Sequence, residues 1–290
     1  MTIQLGRIGL WSRQLRRGDR ERANDAVVEL ESLGYGTIWM PGGSGTEFFA
    51  IADDFLGTTQ RIVIASGILS AWTNPPIEIA SARASLVGGY PERFLLGLGV
   101  SHPHSVESQT GRRYEHPVAV MRTYLDELAS TSAAVPRDEL VLAALGPRML
   151  ELSRDRTWGA HPYFVTPDHT RFARFVIGPG HMLAPEQAVV LENNPDRART
   201  IARRHTEAYL SVPNYSNNLL RLGFREADFA SGGTDRLVDA LVAWGDIAAI
   251  GRRIEEHFVA GADHVCLQVV TDDPDALPLK EWRMLATLLE

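Results

Sequence analysis

Short apolar runs alternate with amphipathic stretches along most of the chain. The clearest case lies between Ile62 and His104. Residues 62–69 are continuously apolar or small, a pattern typical of a strand buried on both faces. The segment 76–86 carries its apolar positions on one helical face, and Phe94 to Leu98 is a second apolar run. Strand, helix and strand within about 40 residues form a βαβ unit, so the two strands should be parallel.

The same alternation extends over the whole chain and predicts eight strands, at residues 4–11, 37–40, 62–69, 94–98, 140–145, 159–164, 183–191 and 264–270. Helices are predicted between them, with a polar loop at 101–113 and a helical insertion at about 211–245. This order favours an α/β fold, a (β/α)8 TIM barrel that forms a single domain over residues 1–290. A doubly wound open sheet is the alternative. In both folds, ligands bind at the carboxyl ends of the strands.

Composition narrows the function. The chain has 290 residues, of which 44% are hydrophobic, enough for one large core. The net charge of −7 argues against nucleic acid as the main partner. No apolar run approaches the roughly 20 residues needed to cross a bilayer, and the N-terminus lacks a signal-peptide layout. Cys266 is the single cysteine, so no intrachain disulfide can form and a cytoplasmic location is expected.

Several kinds of chemistry are disfavoured by the residues present. Lys280 is the only lysine, which removes a Schiff-base lysine in the body of the chain and a phosphate loop of the G-K-[ST] type. The histidines show no H-x-x-x-H spacing, and no metal site is predicted. Gly97 and Gly99 resemble the start of a dinucleotide fingerprint, but His102 stands where its third glycine would be. The expected partner is therefore a small-molecule substrate.

An anion site is predicted at the fifth strand. An apolar run ends at Leu145, and Gly146 and Pro147 then begin a helix at once. The free N–H groups and the positive end of the helix dipole favour an anion there. Gly146 allows close approach of the backbone, and Arg148 adds positive charge. An ordinary strand-to-helix turn is the alternative interpretation.

Histidine and tryptophan side chains follow several predicted strands. His102 and His161 each precede a proline just after a strand, which suits proton transfer or a hydrogen bond to a cofactor ring. Trp11, Trp39 and Trp72 lie at the ends of the first three strands. On a barrel they would rim one pocket that accepts a planar aromatic ligand, and core packing is the alternative.

Several motifs occur in order along the chain: GILSAWTNPP from Gly67, RFLLGLG from Arg93, ALGPRMLEL from Ala144, WGAHPY from Trp158 and LAPEQ from Leu183. Together they resemble the bacterial luciferase-like flavin and deazaflavin oxidoreductases. Within that group the chain looks like the actinobacterial branch usually assigned coenzyme F420, a 5-deazaflavin. The resemblance covers essentially the whole chain.

The resemblance implies an enzyme that exchanges hydride between the deazaflavin and a small organic substrate, with the ring at the carboxyl ends of the barrel strands. It also implies a homodimer. An FMN-dependent monooxygenase on the same barrel is the first alternative. A deazaflavin-binding protein without turnover is the second alternative.

The resemblance further implies roles for particular residues. A non-proline cis peptide should follow the third strand at Leu69, Ser70 and Ala71 and lie against the ring. The loop after the fourth strand should border the ring, and the turn that ends at Arg148 should hold the phosphate. The implied cofactor-binding set is Met40, Leu69, Ser70, Ala71, Gly99, Val100, Ser101, Ala144, Leu145, Gly146, Pro147 and Arg148.

One stretch departs from the pattern of these relatives. Deazaflavin dehydrogenases carry an acidic residue and a histidine after the second strand, whereas residues 39–43 of this chain (WMPGG) contain no ionisable group. Some relatives carry a catalytic glutamate after the fourth strand, where this chain has His102. His102 and His161 are therefore the predicted catalytic residues. The missing pair is the feature that favours the alternative of a protein without turnover.

Overall fold

The computed structural model describes residues 3–289. Within them the strands are β1 (Ile8–Trp11), β2 (Thr37–Met40), β3 (Val63–Ser66), β4 (Leu69–Ser70), β5 (Phe94–Gly99), β6 (Leu140–Leu142), β7 (Gly159–Ala160), β8 (Met182–Leu183), β9 (Glu186–Val190), β10 (Val242–Trp244) and β11 (Val265–Val269). Every pairing among these strands is parallel.

The helices of the same residues are α1 (Gln14–Arg17), α2 (Arg20–Ser32), α3 (Gly45–Thr58), α4 (Pro76–Gly89), α5 (Pro103–Thr110), α6 (Pro117–Ser130), α7 (Pro147–Arg156), α8 (Pro167–Ile177), α9 (Pro195–Leu210), α10 (Pro213–Arg221), α11 (Asp235–Leu241), α12 (Ile247–Val259) and α13 (Leu279–Leu285). Short 3₁₀ turns lie at Arg137–Glu139, Glu226–Gly232 and Ala286–Leu288. None of these helices is long and apolar enough to cross a membrane.

The strands close into a barrel. Hydrogen bonding orders them β10-β9-β11-β1-β2-β3-β5-β6-β7-β8. Strands β8 and β9 are separated in the chain only by Ala184 and Pro185, so the two ends of the path meet. The Ala184 amide donates to the Ala160 carbonyl, and the Cys266 amide donates to the Pro185 carbonyl, both at 2.9 Å. The predicted TIM barrel is confirmed, and the open-sheet alternative is wrong.

Alternation along the strands divides the core into two layers. Successive side chains of a strand point to opposite faces. Val63 and Ala65 on β3 pack inside the barrel with Trp39 and Cys266. Ile64, between them, packs outward into the layer of helices. This parity decides which residues at each strand end can reach a ligand.

The helix starts follow from the sequence. Thr166 precedes Pro167 and caps α8, because its hydroxyl accepts a hydrogen bond from the His169 amide at 3.4 Å. Asn194 caps α9 in the same way through the Arg197 amide at 3.0 Å. The helix predicted after Gly146 begins at the next residue and forms α7.

The third predicted strand is interrupted. Strand β3 ends at Ser66, a cis peptide joins Gly67 to Ile68, and β4 resumes at Leu69. The placement of the cis bond at residues 69–71 was therefore wrong. The neighbouring strand end needs a glycine at this break. A Cβ at Gly42 would lie 1.8 Å from the Ile68 carbonyl oxygen.

Two further predictions are corrected. The predicted loop 101–113 contains helix α5, which begins at Pro103 and ends at Gly111 with a positive φ of 66°. The insertion at 211–245 is helical in α10 and α11, but its last residues form β10 and not helix. Val242 pairs in parallel with Ala188 of β9. The edge of β9 that faces β7 is free for this pairing, because on that side the short β7 pairs only with β8, before β9 begins.

Candidate active site

A cavity of 650 Å³ opens at the carboxyl ends of the barrel strands. Its volume falls within the range of about 300–1,000 Å³ that is usual for small-molecule sites. The lining residues come from the segments that follow the strands, from the first turns of α6 and α7, and from α9 and α10: Trp11, Pro41, Gly42, Gly67, Ile68, Val100, Ser101, His102, Tyr114, Pro117, Val118, Ala143, Ala144, Leu145, Gly146, Pro147, Arg148, Met149, His161, Tyr163, Tyr209, Asn214, Tyr215, Asn217 and Arg221.

Most of the predicted site residues line this cavity. Both predicted catalytic residues, His102 and His161, do so. Of the predicted cofactor-binding residues, those that line the cavity are Val100, Ser101, Ala144, Leu145, Gly146, Pro147 and Arg148.

Five predicted residues lie elsewhere. Met40 and Leu69 are fully buried and pack outward into the layer of helices. Gly99 is covered by the Ile68 side chain, which would lie 2.7 Å from a Cβ at that position. Ser70 and Ala71 are half-buried and are not among the lining residues. The resemblance placed the third strand end too late, and Pro41, Gly42, Gly67 and Ile68 line the cavity instead.

His161 lies at the bottom of the cavity, directly after β7, with 1% of its surface exposed. Its Nδ1 is 2.7 Å from the Ala184 carbonyl oxygen. A carbonyl only accepts, so Nδ1 carries the proton and Nε2 presents a lone pair. Nε2 has no hydrogen-bond partner among the described residues. Burial lowers the pKa of His161 to about 4, so the ring is neutral at pH 7.

Trp39 supports this histidine from below. Its indole stacks on the His161 ring with centroids 4.2 Å apart and planes inclined by 18°. Its Nε1–H donates to Nε2 of His264 at 3.1 Å, and Nδ1 of His264 donates to the Gly6 carbonyl at 2.7 Å. The orientation of His161 therefore follows from contacts inside the barrel. We define the cavity floor as Gly67, Ile68 and His161.

His102 follows β5 and is held by the insertion. The amide nitrogen of Asn214 is 2.8 Å from Nδ1 of His102 and 3.4 Å from the Ser101 carbonyl oxygen. An amide nitrogen only donates, so Nδ1 of His102 accepts and Nε2 carries the proton. The Tyr215 ring lies 5.2 Å from the His102 ring. Burial lowers the pKa of His102, and the two histidines present opposite groups to the cavity.

The turn at residues 144–148 forms the anion end of the cavity. Gly146 precedes α7, and the exposed Arg148 has no ion pair or hydrogen bond among residues 3–289. Arg221 of α10 approaches from the insertion, with its Nη2 3.6 Å from the position of a Cβ at Gly146. That Nη2 donates to Oδ1 of the buried Asn218 at 3.1 Å. The N-terminus of α7 and the Arg221 guanidinium thus meet at Gly146, and Arg148 adds a second guanidinium from the first turn of α7.

An aromatic cluster walls the remaining side. The Tyr163 ring lies 5.2 Å from the Trp11 ring and 5.3 Å from the Tyr209 ring, which lies 5.3 Å from Tyr215. The Tyr163 hydroxyl donates to Oε1 of Gln268 at 2.7 Å, so the Tyr209 hydroxyl, 2.7 Å away, donates to Tyr163. Burial raises the pKa of all three tyrosines, which remain neutral phenols.

Two buried groups lie below this cluster. Glu186 of β9 accepts a hydrogen bond from the Phe164 amide at 3.1 Å, while its Oε1 has no partner among the described residues. Burial raises the pKa of Glu186 to about 8, so this carboxyl is largely protonated at pH 7. Cys266 is buried, and burial raises the pKa of its thiol.

The residues that the sequence did not identify come mainly from the helices. Tyr209, Asn214, Tyr215 and Arg221 lie on α9 and α10, and we call these four residues the helical wall. Nothing in their spacing indicates which strand ends they cover. Of the three tryptophans predicted to rim the pocket, Trp11 lines it and Trp39 lies beneath it. Trp72 packs on Tyr114 with centroids 5.7 Å apart and is not a lining residue.

Residues 6–264 match the model of the family described as luciferase-like monooxygenases. A Mycobacterium tuberculosis protein that carries the name of a coenzyme F420-dependent oxidoreductase is 28% identical over 125 residues. That match covers 43% of this chain and 35% of the relative, about a third of the relative's length.

Solved structures resemble the chain along its whole length. An F420-dependent secondary alcohol dehydrogenase in complex with an F420–acetone adduct superposes with a TM-score of 0.75 at 14% identity, covering 99% of this chain and all of that one (100%). The F420-dependent tetrahydromethanopterin reductase of Methanopyrus kandleri gives 0.72 at 16% identity, covering 99% and 98%. The FMN complex of the oxygenating constituent of 3,6-diketocamphane monooxygenase from Pseudomonas putida gives 0.68 at 14% identity, covering 100% and 97%. These likenesses establish the shared fold.

Proposed function

The chain is an enzyme of the luciferase-like monooxygenase family, and on that premise we propose that it is a coenzyme F420-dependent oxidoreductase. In this proposal it transfers hydride between the deazaflavin and a small organic substrate. One observation carries the proposal: a single cavity joins an anion site at Gly146 to a neutral chamber lined by aromatic rings. The names of the mycobacterial relative and of two structural neighbours support F420 as the cofactor.

The residues of the cavity fit such a cofactor. The N-terminus of α7, Arg148 and Arg221 would hold its phosphate. The floor is flat at residue 67 because a glycine there lets the Trp11 and His161 side chains approach the backbone closely. A Cβ there would lie 2.7 Å from Nε1 of Trp11 and 3.1 Å from Nε2 of His161. The buried, unpartnered Nε2 of His161 would accept a hydrogen bond from an N–H or O–H of the ligand.

A bound deazaflavin would supply two-electron hydride chemistry. The protein contributes position and environment. The tyrosines and Trp11 exclude water, while His161 accepts a hydrogen bond and His102 donates one from Nε2. Both histidines are neutral at pH 7, since burial lowers the pKa of each. Solvent at the mouth of the cavity exchanges the proton that accompanies hydride transfer. The proposal also includes one domain over residues 1–290 and a cytoplasmic homodimer.

Equilibrium titration with F420 and with FMN, followed by fluorescence, tests the proposal. F420 should bind with a Kd below about 100 μM, which corresponds to roughly −5.5 kcal/mol, and at least about tenfold more tightly than FMN. Reduced F420 should also reduce at least one compound in a panel of small organic substrates in the presence of the enzyme. Preferential FMN binding with oxygen consumed for each reduced flavin would instead support the monooxygenase. Tight F420 binding without turnover would support a carrier, and no binding of either cofactor would refute the proposal.

A further inference from the structure

The charges of the cavity are confined to one end. Among the described lining residues, the only side chains charged at neutral pH are Arg148 and Arg221, and both lie at the anion end. No lining residue is an aspartate, a glutamate or a lysine. The rest of the chamber is aromatic, apolar or neutral and polar. An ionic substrate group placed away from the anion end would lose its hydration without gaining a partner.

The two cavity histidines are distinguishable by position as well as by tautomer. Nε2 of His161 belongs to the floor and lies 3.1 Å from a Cβ position at Gly67. His102 instead contacts Asn214 and Tyr215 of the helical wall. Its Nε2–H has no hydrogen-bond partner among residues 3–289. The floor therefore offers an acceptor and the wall side offers a donor.

The donor at His102 depends on one contact. Because the Asn214 amide nitrogen also lies near the Ser101 carbonyl, its N–H side faces the imidazole and the amide oxygen faces away. This orientation leaves Nδ1 of His102 only the role of acceptor. An N–H that lines the cavity without a protein partner favours a ligand that brings a hydrogen-bond acceptor, because a ligand without one leaves that N–H unpaired. The uncharged surroundings favour a neutral acceptor such as a carbonyl or hydroxyl oxygen.

We propose that the substrate of this enzyme is an uncharged carbonyl compound with a flat apolar body, or the alcohol derived from it, bound through its oxygen to Nε2–H of His102. Asn214 is the positioning residue that keeps this proton on Nε2. The inference rests on the oxidoreductase function proposed above and names the substrate class of the same cavity.

The reaction balances without a further reagent. With a reduced deazaflavin bound, the carbonyl carbon would receive hydride and the C=O π electron pair would move onto oxygen, which would take a proton from solvent. The two electrons would come from the bound deazaflavin, which is the reductant of the step. His102 keeps its Nε2 proton and stabilises the charge that develops on oxygen, as a neutral donor. Oxidation of the alcohol is the same sequence reversed.

Nitrogen NMR of the cofactor-free protein, labelled at histidine with ¹⁵N, tests the positioning of His102. Loss of its signals in His102→Gln assigns them. At pH 7 we expect the neutral tautomer with the proton on Nε2, and a mixture of tautomers in Asn214→Leu. Asn214→Asp should move the proton to Nδ1 and raise the pH at which His102 titrates. A wild-type ring that is charged at pH 7, or that carries its proton on Nδ1, would overturn the assignment.

Three probes of nearly equal shape test the substrate class on the F420-loaded enzyme. Acetophenone has the carbonyl, α-methylstyrene replaces it by C=CH₂, and 4-acetylbenzoate adds a carboxylate. Acetophenone should bind about tenfold more tightly than either of the others, a hydrogen bond of about 1.4 kcal/mol. It should also shift the His102 Nε2 resonance. The preference over α-methylstyrene should vanish in His102→Phe and persist in His102→Gln, which keeps an N–H.

Equal binding of α-methylstyrene or of 4-acetylbenzoate would refute the substrate class, as would failure of acetophenone to bind. The outcome is separable from the cofactor proposal. If F420 does not bind, that proposal fails by itself, and the tautomer of His102 and the three probes are then read on the cofactor-free protein.

Discussion

The cavity floor and the helical wall hold their functional groups in different ways. On the floor, His161 is fixed by the Ala184 carbonyl and by the ring of Trp39, both inside the barrel. In the wall, Asn214 and Arg221 project from α10, which belongs to the insertion. The insertion is fastened to α9 by ion pairs at the surface, such as Arg199 with Asp239 at 2.6 Å.

The floor and the helical wall therefore have different roles in the protein. The floor is neutral and depends on backbone geometry, so a change there disturbs the fold before it changes binding. The wall depends on individual side chains that can be exchanged, so a change there should alter which ligand binds while the barrel remains intact. Five predictions test this division, from the largest effect to the smallest.

The buried histidines should make the barrel sensitive to acid. Burial lowers the pKa of His161, His169 and His264 from 6.5 to about 4. Between these values the unfolded state binds more protons than the folded state, so the free energy of unfolding falls as pH falls. The loss should be about 2 kcal/mol for each of the three between pH 6.5 and pH 5. Urea unfolding at several pH values measures it, and a flat profile over this range would contradict it.

Glu186 should act in the opposite direction. Its pKa is raised by burial from 4.5 to about 8, so the folded state holds more protons in this window and stability falls as pH rises through it. Replacement by glutamine should remove up to about 4 kcal/mol of this loss between pH 5 and pH 8. The comparison of Glu186→Gln with the wild type at pH 5.5 and pH 8.5 measures it. Parallel pH profiles for the two proteins would show that the carboxyl is not held protonated.

Close contact between β7, which leads into the floor residue His161, and β8 should tolerate no added methyl group. A Cβ at Gly159 would lie 1.8 Å from the Met182 carbonyl oxygen of the paired strand, whereas a Cβ at Gly88 of α4 meets nothing within 4 Å. Gly159→Ala should therefore lower the free energy of unfolding by about 3 kcal/mol or more. Gly88→Ala, the matched control, should change it by less than about 1 kcal/mol. Similar values for both variants would contradict the tight packing of β7 against β8.

Loss of the wall arginine should affect binding and spare the fold. Arg221→Ala should weaken F420 binding about tenfold, or about 1.4 kcal/mol, because one of two guanidinium groups at the anion turn is removed. The control is Arg171→Ala, whose side chain is 63% exposed and pairs with Asp168 outside the cavity. Fluorescence titration and thermal unfolding should show the affinity change alone. Unchanged affinity would exclude Arg221 from the cofactor site.

The smallest change in stability is expected for the ion pair that holds the insertion against α9. Asp239 accepts from Arg199 and, at 2.8 Å, from the Trp244 indole, with side-chain exposures of 35% for Asp239 and 23% for Arg199. Asp239→Asn should cost about 1 kcal/mol or less, since partly exposed pairs are screened by solvent. Hydrogen exchange should quicken in α11 and not in β7. An equal change in both elements would mean that wall and floor are coupled.

The sequence predicts the barrel strands and the two cavity histidines better than the helical wall, for a physical reason. Apolar runs mark the strands, and the proline after each of His102 and His161 marks that a strand has ended. It is harder to infer which residues of a strand face the cavity. An error of one residue in the predicted position moves a side chain from the cavity side to the side of the helices. Met40 is one residue before Pro41, which lines the cavity, and itself points outward.

The residues of the helical wall could not be predicted, because the sequence of a helix indicates where it begins and ends and not where it packs. The apolar face of α10 indicates that the helix packs against the rest of the protein. Which element it packs on depends on contacts with residues more than a hundred positions away in the chain. Asn214 reads as the second residue of an ordinary helix, and only folding brings it to His102. The interruption at Gly67 is likewise hidden, because an apolar run continues through it and the glycines that permit it, such as Gly42, belong to other strands.

Ala184 couples the closure of the barrel to the protonation state of its floor. The same residue bridges β8 and β9, donates its amide to β7, and receives the proton-bearing nitrogen of His161. A rearrangement that separated β8 from β7 would displace the carbonyl that fixes this imidazole. The tautomer of His161 is therefore a consequence of ring closure, and a probe of that tautomer reports whether the barrel is closed.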